Sequence, residues 1–445
     1  MIEGPIQTNN SGLVFYFDTK EPKSYVGEPT VNYSYDHNPR IDSSYSLWSP
    51  GYGGTFAAKH PDAIRVYNDA GSEITSYVNN GVTDWTNTYH AIWTYDYVLQ
   101  RPVVTMRDVD GQWKAKYIYT GINFNSLGMT VGSKYTISWL QWTDNLSKRA
   151  NVGLYTRNSS VNYNFWDGLS SGSSTSTNTL TNTWQRVYHT FTVTSNWNLS
   201  DSWNQIYMYG MDFTRATLKI ADVQFELKDH PTNFNKAQTR SNTQGLLDLT
   251  GNYTIDLTNA AYDSSSKIYL SGSKAIKINS NSSLFSNAFT WSAWHYIIAD
   301  GGAGYAGIFW AEGAVAGGSG YQYLLSYRNL GSNAYAHYRI NNATTGWGNT
   351  DTGTLMSSML NKWIYTTWTF NNGTTKIYIN GVLSHTDTSR GAYNGGSDSP
   401  IYIGARNDLW GSINGYIDLV SYHNRTLTDA EILKNFNSQR SRYSV

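Results

Sequence analysis

Apolar positions recur along this chain at every second residue, in short runs cut by glycine and asparagine. The clearest stretch lies in the last quarter. Lys362–Phe370 is aromatic and β-branched, with Trp363, Tyr365 and, after a slip, Trp368 and Phe370 as its large apolar positions, which predicts a strand. Asn371-Asn372-Gly373 predicts a tight turn, because glycine accepts a positive φ. Thr375–Ile379 predicts a second strand, Asn380-Gly381 a second turn, and Val382-Leu383 the start of a third strand. Pro400–Gly404 and Gly411–Tyr422 add two more. Thr428-Asp429-Ala430-Glu431 is a capping box, in which the threonine accepts from the Glu431 amide and Glu431 reaches back. It predicts a short helix from Asp429 to about Phe436.

Upstream, Gly12–Phe17 reads as an apolar strand, and Lys134–Trp142, Thr183–Val193 and Ala216–Glu226 alternate at period two. Asp248–Asn252 predicts a turn, and Ala275–Ile278 and Phe289–Trp294 predict strands. Asp300–Gly304 and Glu312–Gly320 read as glycine-rich loops flanking Ile308–Trp310, and the Ser/Thr/Gly-rich stretch Ser170–Thr181 as a mobile loop. No fixed-period repeat, heptad or collagen-like triplet is present, which excludes a long fibre shaft.

At 445 residues, two or three domains are expected. Turn residues outnumber helix formers, so the fold class is all-β. Thirty-two Lys and Arg balance 32 Asp and Glu. With no basic run either, nucleic acid and anionic membranes are poor partners. No apolar run approaches the ~20 residues that cross a bilayer. Met1–Gln7 has no basic or apolar region of a secretory signal. The absence of cysteine leaves the redox compartment open.

The strand order and closing helix of the C-terminal quarter resemble a LamG-like jelly roll, a relative of the concanavalin-type lectin sandwich. The residues that carry this are Trp363 and Trp368, Lys376–Gly381, Ile401–Ala405, Gly415–Asp418, Val420, Tyr422–Leu427 and Glu431-Ile432. The resemblance implies a two-sheet antiparallel sandwich, used for binding or structure and often carbohydrate-linked; it does not by itself imply catalysis. Gly12–Phe17 with Asp18, Pro22 and Ser24-Tyr25 resembles the start of such a domain. Its expected continuation, Gly245–Asn252, arrives over 200 residues late. Between them, Lys134–Trp142, Thr183–Val193, Ala216–Glu226 and Asp229–Phe234 resemble a carbohydrate-binding-module jelly roll of phage tail and surface proteins, well over 120–234 and poorly over 50–115. The expectation is therefore two antiparallel β-sandwich (jelly-roll) domains, one inserted in the other: 1–32 and 237–445 as the host, 33–236 as the guest. Two consecutive domains with an N-terminal arm are the alternative.

Lectin-type sandwiches also host glycosidases, which need two carboxyl groups ~5–5.5 Å apart for retention or ~6.5–9.5 Å for inversion. A Glu-x-Asp-x-x-Glu type of strand is missing, and no two of the seven glutamates lie close in sequence. Asp222 and Glu226 stand i, i+4 on one strand face, too far apart for a pair; Asp108 and Asp110 flank a turn before Gly111. Histidines, including His90, His189, His295, His337 and His423, are scattered without zinc or triad spacing. The chain is expected not to be an enzyme. Sugar binding is the positive hypothesis, because pyranose faces stack on aromatic rings. Aromatics outside clean strands are the candidates: Trp85, Trp93, Tyr95, Trp113 and Trp166 in the insert, and Tyr305, Trp310, Trp347 and Trp410 in the host; most such residues serve cores or interfaces instead. Calcium is common in both resembled families and needs six to eight oxygens. Asp18, Asp222, Asp300 and Asp418, near sheet ends, are the candidate ligands.

An outward-facing composition without a visible export signal fits a protein made in host cytoplasm and released in a bacteriophage virion. The expectation is a virion protein on the exterior of capsid or tail, homo-oligomeric, bound to other virion proteins and holding cell-surface glycans. A non-viral lectin or adhesin is the alternative, and a glycoside-active enzyme the second.

Overall fold

The computed structural model describes residues 10–33, 91–99, 101–107, 116–123, 127–146, 150–151, 154–157, 162–164, 174–176, 178–195, 199–200, 205–210, 217–235, 239–279, 284–300, 304–315, 318–341, 349–394, 399–406 and 408–445. The chain divides into two compact units. One is Met1–Pro29 with Arg240–Val445; the other is Thr30–Thr239.

Antiparallel strands build the first unit as a sandwich. One sheet runs Leu13–Asp18, Ile413–His423, Ala288–Asp300, Trp363–Asn371, Thr374–Ile379, Val382–Asp387. The other runs Thr254–Asp256, Ile276–Asn279, Ile401–Ile403, Ala306–Val315, Gly318–Arg328, Tyr335–Ile340, Asn349–Asp351. Their facing sides share one core that includes Phe15, Trp291, Phe309, Tyr323, Trp368 and Ile417. Trp291 stands 5.0 Å from Phe309 across the two sheets and 4.7 Å from Tyr422.

The slip in Trp363–Phe370 now has a cause. Residues 364–370 of that strand are buried on both faces. Ile364, Trp368 and Phe370 face the sandwich core, while Tyr365 joins a second cluster with Tyr16, Trp294, Leu419, Phe436 and Tyr443 on the outside of the sheet. A strand covered on both faces loses clean alternation. The cover is the helix Asp429–Gln439 and the 3-10 turn Arg440–Tyr443. Thr428 caps that helix as the sequence predicts, accepting from the Glu431 amide. Trp294 stacks on Tyr443 at 4.1 Å and donates from Nε1 to Gln439 at 2.7 Å.

Asp248 fixes the predicted turn near Asn252. Its carboxylate accepts from the amides of Tyr16, Thr250, Asn252 and Tyr253, so one buried acid ties the first strand to this turn. One expected loop is corrected: Ala306–Val315 and Gly318–Arg328 form a hairpin, with Val315 opposite Gly318 and Ala314 opposite Ser319. Small residues weaken strand propensity, but ladder hydrogen bonds to Ile401–Ile403 on the other side hold this strand inside the sheet.

In the second unit, one sheet runs Ser174–Thr175, Gln185–Thr192, Lys134–Thr143, Thr217–Glu226, Arg101–Arg107, Ala91–Asp96. Another joins Lys116–Asn123, Gln205–Gly210, Leu154–Arg157 and Asn162–Asn164, with Ala150–Asn151 also on Gln205–Gly210. Tyr135, Phe191 and Phe225 stack in its core at 5.4–6.2 Å. Part of the expected mobile loop is ordered: Ser174 and Thr175 pair with Thr190 and His189, and buried Asn178 is bonded to Gln141.

Candidate functional site

The sheet register gathers three of the predicted aromatics. Trp310 sits opposite Tyr402 on the Ile401–Ile403 strand, which leads directly into the turn that carries Trp410. Tyr305 precedes the Ala306–Val315 strand. Its ring centroid is 5.0 Å from that of Trp410, and Trp410 meets Trp310 edge-on at 6.4 Å. Two glycines permit this approach. Gly307 donates to the Gly411 carbonyl at 2.9 Å, and a Cβ at Gly307 would stand 3.2 Å from that oxygen and 3.2 Å from the Trp310 ring. Gly411 itself has φ +65°, which favours glycine.

The turn is braced from within. Arg406 donates from Nε to Asp408 at 2.6 Å, its guanidinium lies 5.1 Å from the Trp410 ring, and Asp408 accepts from the Trp410 amide at 3.0 Å. Trp310 is buried, whereas Trp410 keeps 41% of its surface exposed. Trp310 is therefore a strand residue supporting the platform from below, and Tyr305 and Trp410 form its accessible part.

The cluster is completed by His337, which the sequence left among its scattered histidines, and by Asp351, Arg328 and Tyr335, which it did not single out. His337 lies 5.4 Å from Tyr305, edge-on, and bonds Asp351 at 2.6 Å. Burial holds the His337 pKa below its usual value, against the opposing pull of Asp351. Arg328 sits with its guanidinium 4.5 Å from the Tyr305 ring and 5.9 Å from that of Tyr335. An arginine seven residues before a tyrosine is the faint signal that precedes this arrangement, since pairing of their strands sets Arg328 opposite Tyr335.

Two of the other predicted residues belong to the second unit. Trp93 and Tyr95 lie on the strand Ala91–Asp96, opposite Val104 and Pro102. Trp85, Trp113, Trp166 and Trp347 lie outside the described residues.

Among the predicted metal ligands, Asp18 and Asp418 come together, at neighbouring strands of one sheet. Arg442 binds Asp18 with two hydrogen bonds, 2.6 and 3.1 Å, and Lys20 reaches Asp418 at 3.2 Å. Lys20 also lies 3.7 Å from the Tyr443 ring. Burial raises the Asp418 pKa and Lys20 opposes it. These carboxylates are matched by cations and do not fit a calcium ion, which asks for six to eight oxygens. Asp222 sits in the left-handed region, φ 50°, at a bulge between Ala221 and Gln224. The extra residue breaks the strand's parity, so Asp222 does not share a face with Glu226 as the sequence suggested. Buried Glu226 instead accepts from Thr30, Gln224 and Thr232. The Asp300 side chain lies outside the described residues. Among the described residues, no three His, Cys, Asp or Glu side chains are grouped to hold a metal ion. No described helix is long and apolar enough to cross a membrane.

No curated protein matches this chain. Among solved structures, it is similar to the Trypanosoma rangeli sialidase (19% identity, TM-score 0.34, 44% of this chain and 31% of that one). It is also similar to the botulinum neurotoxin serotype D binding domain (20% identity, TM-score 0.34, 45% and 50%). A third is the receptor binding domain of botulinum neurotoxin mosaic serotype C/D (19% identity, TM-score 0.35, 45% and 49%). The chain thus spans about a third to a half of the length of these structures. Residues 270–433, which include Tyr305, Trp310 and Trp410, match the family model of the Concanavalin A-like lectin/glucanases superfamily.

Proposed function

We propose that this chain holds glycans without cleaving them, and that it does so on the exterior of a bacteriophage particle. The observation that carries the first part is the Tyr305–Trp410 platform: two rings 5.0 Å apart, the indole half-exposed, on a braced turn of a lectin-type sandwich. A pyranose offers an apolar face to such rings, and stacking on a pre-set surface costs little ordering. The non-catalytic reading is supported by Asp18 and Asp418, the two neighbouring acids, each being held by a cation. The virion setting is supported by the resemblance of 120–234 to modules of phage tail and surface proteins. Many copies in one particle would raise a weak single-site affinity by avidity.

Calorimetric titration with the oligosaccharides that bind in a glycan array tests the site. Trp410→Ala should weaken binding by about tenfold or more, or ~1.4 kcal/mol. Unchanged affinity in that variant would reject the platform, and release of reducing ends from a bound oligosaccharide would reject the non-catalytic reading. Mass spectrometry of purified particles tests the setting, and absence from them would reject it.

A further inference from the structure

The platform carries an unused cation. Arg328 is half-buried against Tyr305 and Tyr335, and its Nε is shielded with no hydrogen-bond partner. Among the described residues no carboxylate forms an ion pair with it. The nearby acids are otherwise engaged: Asp351 holds His337 and Asp408 holds Arg406. Arg328 and Arg339 both lie near enough to His337 to disfavour its charged form, against the pull of Asp351. A guanidinium stacked on rings is fixed in orientation, is weakly hydrated and keeps a planar fork of donors suited to a carboxylate. Elsewhere in the structure arginines take carboxylates in this way: Arg442 with Asp18, Arg425 with Glu431 and Arg390 with Asp387.

We infer that the Tyr305–Trp410 platform selects acidic sugars, with Arg328 taking the carboxylate of a uronic or sialic acid residue whose ring stacks on Trp410. The inference rests on the proposed glycan site and adds its ligand class. Recognition divides between the two parts. The aromatic rings bind a pyranose of either kind, and Arg328 distinguishes a carboxylate from the neutral group in its place.

Paired probes test this with the full chain: a galacturonate oligosaccharide against the same compound reduced to galactose, and sialyllactose against lactose. Wild type should bind the acid of at least one pair tenfold or more tighter than its neutral partner. Arg328→Gln should lose that preference, so that acid and neutral partner bind alike, and Trp410→Ala should weaken both ligands about tenfold or more. Circular dichroism and thermal unfolding of each variant show whether it is folded. Equal binding of acid and neutral partners by wild type would overturn the acidic-sugar inference and leave the glycan site standing. A preference that survives Arg328→Gln would also overturn it. No binding of any probe would overturn both. A sulfated galactan bound more tightly than both carboxylated probes would replace the carboxylate by a sulfate and overturn the stated ligand class.

Discussion

Acid should destabilise the sandwich through one buried histidine. His295 is wholly buried on the inner side of the Ala288–Asp300 strand, opposite Ile364 and Ile417. Its Nε2 is bonded to the Thr366 hydroxyl at 2.8 Å, while Nδ1 is buried without a hydrogen-bond partner. An imidazolium there would bring an unpaired N–H and a charge into the core. Burial accordingly depresses the pKa to about 3, against about 6.5 in an unfolded chain. The folded value lies below the unfolded one, so the unfolded state binds the extra proton. Stability from this group is full above pH 6.5 and is lost as pH falls from 6.5 towards 3. Each unit in that window costs about 1.4 kcal/mol, or about 3 kcal/mol between pH 7 and pH 4. The assay is urea unfolding of wild type and His295→Gln at pH 7, 5 and 4. The variant loses stability at pH 7, but the gap between the two proteins should close by about 3 kcal/mol at pH 4, since contributions from other groups cancel in the difference. A gap constant to within about 0.5 kcal/mol across that range would show that His295 does not carry the acid sensitivity.

Two further pairs of substitutions test the packing and the ion pairing. A Cβ on Gly415 would stand 1.9 Å from the Tyr296 carbonyl oxygen, and Gly415 exchanges two 2.8 Å hydrogen bonds with Leu270; Gly415→Ala should therefore cost about 3 kcal/mol or more in thermal unfolding, while Gly353→Ala, with open space around it, should be near neutral. Arg442→Met should destabilise by about 3–5 kcal/mol, because it leaves Asp18 charged and buried; adding Asp18→Asn should recover much of that loss, and a denaturation series showing equal stabilities for single and double variants would refute the pairing.

Local chemistry made some elements legible and hid others. The capping box at Thr428 and the asparagine–glycine turns are decided within four residues, so reading them needs no tertiary information. The double-sided strand Trp363–Asn371 revealed its aromatic content but not its two faces, because a helix some seventy residues later supplies the outer cover. Glycine and alanine concealed the hairpin after Tyr305, since propensity counts side chains and the ladder counts backbone groups. At the site, Tyr305, Trp310 and Trp410 were visible as aromatics but not as neighbours, and Trp310 proves to be buried support. Arg328 escaped notice, and His337 was set aside as one of the scattered histidines, because a cation or imidazole on a strand reads as a solvent-facing residue until its partners across the sheet are known. In the same way Asp18 and Asp418 suggested a metal only while Arg442, 424 residues from Asp18, was out of view.

That separation shapes how the sandwich comes into being. On a ribosome the strand Leu13–Asp18 emerges long before its ladder partner Ile413–His423 and its arginine clasp, which stands 424 residues from Asp18. The nascent strand must wait, its amide edge open and its Phe15 and Phe17 uncovered, until that partner has been made. Closure of the sandwich therefore follows synthesis of the strand Ile413–His423, and the time before it is when this polypeptide is most exposed to mispairing.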